Sequence, residues 1–153
     1  MIKQRIYIDR LDWEVCIYYS VNEYYVDEIL HHMRGIGASD ELVHVAEDNM
    51  LSGNMDTGVT YSNFLYRTTI MVIGTASSPR EFFNSYTHEF RHLQDDLGNM
   101  NGIGLDGEEI AYLSGEIAMK TFDYVKLFIC DNNKEKFYEK KRSRKSLKKR
   151  MSN

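Results

Sequence analysis

Ser78-Pro79-Arg80-Glu81-Phe82-Phe83-Asn84-Ser85-Tyr86-Thr87-His88-Glu89-Phe90-Arg91-His92-Leu93 is the stretch whose reading decides the fold. Ser78 suits an N-cap, because its side-chain oxygen can accept an amide N–H of the first turn that has no helical partner. Pro79 suits the first helical position, and Glu81 stands three residues after the cap, where it can close a capping box. The apolar stripe Phe82, Tyr86, Phe90, Leu93 and Leu97 recurs at helical spacing, so a helix is predicted from Pro79 to about Leu97, with Gly98 as its stop. His88 and His92, four apart, share one face with Cβ atoms about 5 to 6 Å apart, so that two imidazoles can hold one tetrahedral ion. Glu89 lies about 100° round the helix, beside such an ion but off its ligand face, which is the placement of a general base in an H-E-x-x-H site. The plainer reading is two surface histidines on an amphipathic helix with an ordinary Glu between them. The position of the match in mid-helix, after a strand and behind a capped start, favours the metal reading with Zn2+ as the ion.

Working outward, the chain before this helix reads as strand and helix in turn. Ile6 and Ile8, then Trp13, Val15, Ile17 and Tyr19, alternate on either side of Asp9-Arg10-Leu11-Asp12 and predict a β-hairpin. From Asn22, a candidate cap, Val26, Ile29, Leu30 and Met33 fall on one helical face that Gly35 or Gly37 ends. A second helix is predicted after Ser39, carrying Leu42, Val45, Ala46 and Met50 inward and stopping at Gly53. Asn54-Met55-Asp56-Thr57-Gly58 is turn chemistry, and the β-branched and aromatic runs 59–61 and 68–73 follow, the second of them a strand. After a Gly-rich loop at 99–107, Asp106 is a candidate cap and Glu109 its reciprocal partner. They open a helix with Ile110, Leu113 and Ile117 buried, extending towards Ile129. The fold class expected is α+β.

Composition bounds the rest. A chain of 153 residues with 42% hydrophobic and 12% aromatic residues can bury a core and is too short for two ordinary domains. We therefore expect one unit over 1–133 and a basic tail over 134–153. Residues 134–150 hold ten Lys or Arg against two Glu, a local +8. The formal net charge of -4 thus leaves -12 on the rest. Such a tail can be a solvated end or can contact nucleic acid or an acidic partner. Cys16 and Cys130 sit in apolar runs with no metal-knuckle spacing and read as reduced core cysteines. No apolar stretch of signal-peptide or membrane-span length occurs, so the expected setting is soluble and cytoplasmic, with no membrane. His31 and His32 are adjacent and His44 is solitary, so all three read as surface or satisfied histidines.

A catalytic zinc needs a third protein ligand and an open position. No His follows His92, so that ligand is a carboxylate or lies upstream; Glu108, Glu109, Glu116 and Asp96 are the candidates. Glu108-Glu109-Ile110-Ala111-Tyr112 resembles the gluzincin pattern, in which a Glu followed by a small residue three positions on carries the third ligand. The resemblance implies Glu108 in that role. It departs at Tyr112, where those families have Asp or Asn; the Tyr hydroxyl is then a candidate for stabilising an oxyanion, with Asp95 or Asp96 taking over support of a zinc-bound His. Thr57-Gly58-Val59-Thr60-Tyr61-Ser62-Asn63, Arg67, Ile70 to Gly74, the HExxH helix and Glu108 to Glu116 further resemble small zincin-like metallopeptidases of phages and bacterial mobile elements. That resemblance implies a minimal zincin fold, with a small N-terminal sheet, the active-site helix and a following helix that supplies the third ligand. It implies the zinc site and no known substrate; the expectation of a zinc-dependent hydrolase of peptide or protein substrates rests on the HExxH chemistry. By the same likeness residues 69–74 would be the substrate-side strand; Arg67, on the preceding strand region, is by its position a freer candidate than Arg91 for binding a substrate carboxylate. The alternative from another class is a catalytically inactive, zincin-derived regulatory or binding protein that works through the basic tail.

Overall fold

The computed structural model describes residues 1–52 and 58–130. The stop at Gly53, the turn 54–57 and the basic tail lie outside them. The hairpin forms as expected. β1 (Ile2–Ile8) and β2 (Trp13–Val21) pair antiparallel through a short 3-10 turn at Asp9–Leu11. Then come α1 (Val26–Gly35), α2 (Asp40–Leu51), β3 (Val59–Asn63), β4 (Thr68–Gly74), α3 (Pro79–Asn101) and α4 (Glu108–Ile129). The four strands make one mixed sheet in the order β1-β2-β4-β3, with β2 parallel to β4 and the outer pairs antiparallel. The fold is α+β, and the sheet is larger than the hairpin alone because β3 and β4 join it.

Burial explains the order. β2 and β4 are apolar on both faces and occupy the middle, where helices cover the two sides of the sheet. β1 alternates strictly between buried and exposed residues and takes an edge, with only one face covered. Trp13, Val15, Ile17, Tyr19, Met71 and Ile73 pack against α3 and α4. Cys16, Tyr18, Ile70 and Val72 pack against α1 and α2. Gln4, buried between the hairpin and α4, donates to the Lys120 carbonyl at 2.7 Å and accepts from the Tyr19 hydroxyl at 2.8 Å. Among the described residues no helix is long and apolar enough to cross a membrane.

Several local expectations are corrected. Asn22 gives no side-chain cap; a 3-10 turn at Glu23–Tyr25 comes first and α1 starts at Val26. Ser39 caps α2 by accepting from the Leu42 amide, but the buried stripe is Val43, Ala46 and Met50, with Leu42 and Val45 exposed. The two stripes share Ala46 and Met50, and the seating of α2 on the sheet buries Val43 in place of Leu42 and Val45. Cys130 ends α4 exposed, whereas Cys16 is buried, and burial pushes its thiol up to about 11. A disulfide-exchange reagent at pH 8 is therefore expected to titrate one thiol in the native protein and two after unfolding. Two fast thiols in the native state would contradict the burial of Cys16.

Candidate metal centre

Ser78 caps α3 as its sequence suggests, accepting from the Glu81 amide at 3.2 Å, while the Glu81 carboxylate reaches back to the Ser77 amide at 2.6 Å, one residue before the cap. Hydrogen bonds from the Ser77 hydroxyl and then from its amide hold the Glu81 carboxyl below its ordinary range. The helix runs through Gly98 to Asn101 and ends on Gly102 in the left-handed conformation, φ 70°. Gly98 thus has a packing role. A Cβ there would lie 2.4 Å from Leu105 Cδ2 and 3.4 Å from Ile110 Cδ1, where the following loop and α4 close on the helix.

His88 and His92 project from the exposed side of α3 with their Nε2 atoms 3.1 Å apart. Two imidazole nitrogens bound to one tetrahedral zinc at about 2.0–2.1 Å stand roughly 3.3–3.4 Å from each other, so the pair is already close to that bite. Glu89 points a quarter-turn away, under the sheet edge, and is 2% exposed. The Thr60 hydroxyl on β3 donates to Glu89 Oε2 at 2.7 Å, satisfying a buried carboxylate that would otherwise be costly. Gly58, at the start of β3, lies against the same side chain: a Cβ there would be 3.0 Å from Glu89 Cγ.

Ser62 lies two residues along β3 from Thr60, and Asp96 lies one turn beyond His92 on α3. Ser62 Oγ is 2.8 Å from Thr69 Oγ1, which in turn accepts from the buried Trp13 Nε1 at 2.9 Å. Burial pushes the Asp96 carboxyl up; Ser62 and the nearby His92 act against that. Asp95 Oδ1 lies 2.7 Å from Arg91 Nη2, an ion pair one turn apart on α3 that lacks hydrogen-bond alignment. Thr60, Ser62, Thr69 and Trp13 had no assigned role in the sequence reading. The polar positions 60 and 62 alternating with Val59 and Tyr61 were the available signal.

The residues expected from α4 do not join the pair. Tyr86 bonds Thr121 and Gln94 bonds Ser114, so α3 and α4 run antiparallel along the Tyr86, Phe90 and Gln94 side of α3. That side is roughly half a turn from His88 and His92 at 100° per residue. On α4 the buried face is Ile110, Leu113, Ile117 and Thr121. Glu108 and Tyr112 fall about 160–200° from Ile110, on the outer face. Both are exposed, Tyr112 at 72%. Asp106 makes no side-chain cap and Gly107 holds that position, so Glu109 has no capping role; it lies 4.0 Å from Arg10. Glu116 pairs with Arg10 and Lys120 on the hairpin side. Among the described residues, no three His, Cys, Asp or Glu side chains gather around one metal-sized point.

Two further expectations are corrected. Arg67 is not free: its guanidinium donates to the Leu11 and Asp12 carbonyls and lies 5.3 Å from the Trp13 ring, pinning the hairpin turn. β4 is paired on both edges and cannot add a strand; the open edge beside α3 belongs to β3. His32 is satisfied by the Tyr18 hydroxyl at 2.7 Å, and burial holds its imidazole below the usual range.

The fold and the site define an α+β protein in which an HExxH helix lies under the edge of a mixed four-stranded sheet. In comparisons with known proteins the chain matches no family model, no curated protein and no solved structure.

Proposed function

We propose that the chain is a zinc-dependent hydrolase of peptide or similar amide bonds, with His88 and His92 holding the metal and Glu89 as the proton acceptor. The observation that carries this reading is the 3.1 Å separation of the two Nε2 atoms on one exposed helix face, beside a buried carboxylate. Bound zinc supplies a water of pKa roughly 7 and polarises a carbonyl. Thr60 fixes the rotamer of Glu89, and the open edge of β3 lies where an extended chain can pair beside the histidines. Glu108 as third ligand rests on the gluzincin resemblance alone. Its place on the outer face of α4 means that this role requires α4 to leave the packing described above. Tyr112, on the same outer face, has no reacting group near it in that packing.

A second reading has a specific observation in its favour. The α4 residues that would complete a catalytic site are turned away, which suits a non-catalytic protein that uses the helix or the basic tail for binding. Elemental analysis of protein purified without added metal separates the two. About one zinc per chain in the parent, lost in His88→Ala and in His92→Ala, supports the first. Zinc-free parent protein that also takes up none on dialysis against the metal removes it. Glu108→Gln is expected to keep its zinc if α4 packs in solution as it does here; loss of zinc in that variant assigns Glu108 as the ligand.

A further inference from the structure

α4 buries Ile110, Leu113, Ile117 and Thr121, and its opposite side is apolar as well. At 100° per residue, Ala111, Tyr112, Gly115, Ala118, Met119 and Phe122 share one arc of about 120° on the side away from that buried face. Tyr112, Met119 and Phe122 are 72%, 75% and 58% exposed, and the other residues of the arc are small. Scattered exposed apolar residues are ordinary, but large ones in a continuous row mark a contact surface. Charge enters the row only at its ends and with opposite sign, as Glu108 and Lys126; the Lys126 ammonium lies 5.4 Å from the Phe122 ring centroid, on this face. Glu108, Tyr112, Gly115, Met119, Phe122 and Lys126 follow one another at intervals of four, three, four, three and four residues, the spacing of a coiled-coil seam. That series reads the same from either end. The acidic residues bordering it have cations within the chain: Glu109 and Glu116 face Arg10, Glu116 also Lys120, and Asp123 pairs with Lys126.

We infer that this face of α4 binds the same face of a second copy of the chain, antiparallel about a two-fold axis. Glu108 of one copy then meets Lys126 of the other, Tyr112 meets Phe122, and Gly115 leaves room for Met119, with the two-fold axis repeating each pair. A Cβ on Gly115 would meet nothing within 4 Å in the single chain, so the space there is open to a partner. Parallel pairing would instead set Glu108 against Glu108, Lys126 against Lys126 and the bare Gly115 against itself. Charge and size both select the antiparallel register. At 1.5 Å per residue the seam is about 27 Å long, a small interface, which makes the dimer reversible rather than permanent. The seam lies on the side of α4 turned away from α3 and the sheet, so it leaves His88 and His92 open and does not depend on the zinc reading. It also gives the outward-facing Glu108 and Tyr112 a task.

Sedimentation equilibrium of the full-length chain tests this, with far-UV circular dichroism to confirm that each variant folds. The expected result is a monomer–dimer equilibrium with a Kd of ~1–100 µM. Met119→Glu alters a side chain that is 75% exposed in the single chain, so the monomer should fold as before. It should raise Kd more than ~10-fold, because the added charge enters the seam twice. Glu108→Lys and Lys126→Glu should each raise Kd by ~10-fold, and the double variant carrying both should return to within ~3-fold of the parent. That restoration is peculiar to the antiparallel pairing; a parallel dimer, or one made through another surface, has no reason to recover. A chain that stays monomeric up to ~1 mM overturns the inference, and this is the result that a different partner, or the chain's own tail, on the α4 face would give. A dimer indifferent to Met119→Glu overturns it too, as does a double variant no tighter than the single ones.

Discussion

Glu89→Gln is expected to lower turnover on a peptide-library substrate by about 10²–10⁴-fold, the usual contribution of a positioned general base, while zinc content stays equal to the parent. The substitution is nearly isosteric. The Thr60 hydroxyl that donates to Glu89 Oε2 at 2.7 Å can donate equally to the amide oxygen, so β3 keeps its grip on α3 and the fold is not the variable. What changes is proton affinity, since an amide does not take a proton from water at neutral pH. Burial sharpens the expectation, because at 2% exposure bulk solvent cannot easily substitute for the lost base. Mass-spectrometric counting of cleavage products, alongside metal analysis of the same sample, reads both halves. Parent and variant of equal activity would remove Glu89 from the mechanism; loss of zinc in the variant would instead make it a ligand.

The parts of this molecule that were legible in the sequence are those set by local chemistry. The Ser78-Pro79 start of α3 follows from which amides lack partners at a helix start, and the β1–β2 hairpin follows from period-two alternation. The His88–His92 pair follows from helix geometry alone. What was illegible depends on which way whole elements face. Glu108 fits a ligand pattern letter by letter, yet a pattern carries no rotation. Ile110, Leu113 and Ile117 bury themselves against α3 and the sheet, and that choice turns Glu108 and Tyr112 outward. The capping box drawn on Asp106 and Glu109 fails for a related reason: Gly107 takes the cap, and Glu109 is drawn towards Arg10, a residue about a hundred positions away in the chain. Arg67 looked available because the hairpin turn that consumes it lies more than fifty residues earlier. The same long-range assembly made Thr60 invisible as the partner of Glu89 and Ser62 as the partner of Thr69, although their alternation with Val59 and Tyr61 marked a strand with one polar face.

Gly58→Ala should be the most damaging single-methyl change in the described chain, costing about 3 kcal/mol or more of stability and lowering Tm by about 10 °C. The added Cβ would sit 1.6 Å from the Val72 carbonyl oxygen and 2.7 Å from its carbon, distances at which no contact survives. A flexible side chain can move aside; Val72 cannot, because it lies in β4, the central strand paired to β2 and β3 on its two edges. The start of β3 has to give way instead, breaking the Val59–Val72 pairing and carrying Thr60 off Glu89. Stability and site geometry should therefore fall together, which a remote destabilising mutation would not produce. Gly115→Ala is the matched control: its Cβ meets nothing within 4 Å on the exposed side of α4, and helix propensity alone should raise stability by roughly 0.5–1 kcal/mol. Chemical denaturation of the two variants beside the parent measures the contrast. A Gly58→Ala protein within about 1 kcal/mol of the parent would mean that β3 does not lie on Val72 as described, and the shelter over Glu89 would go with it.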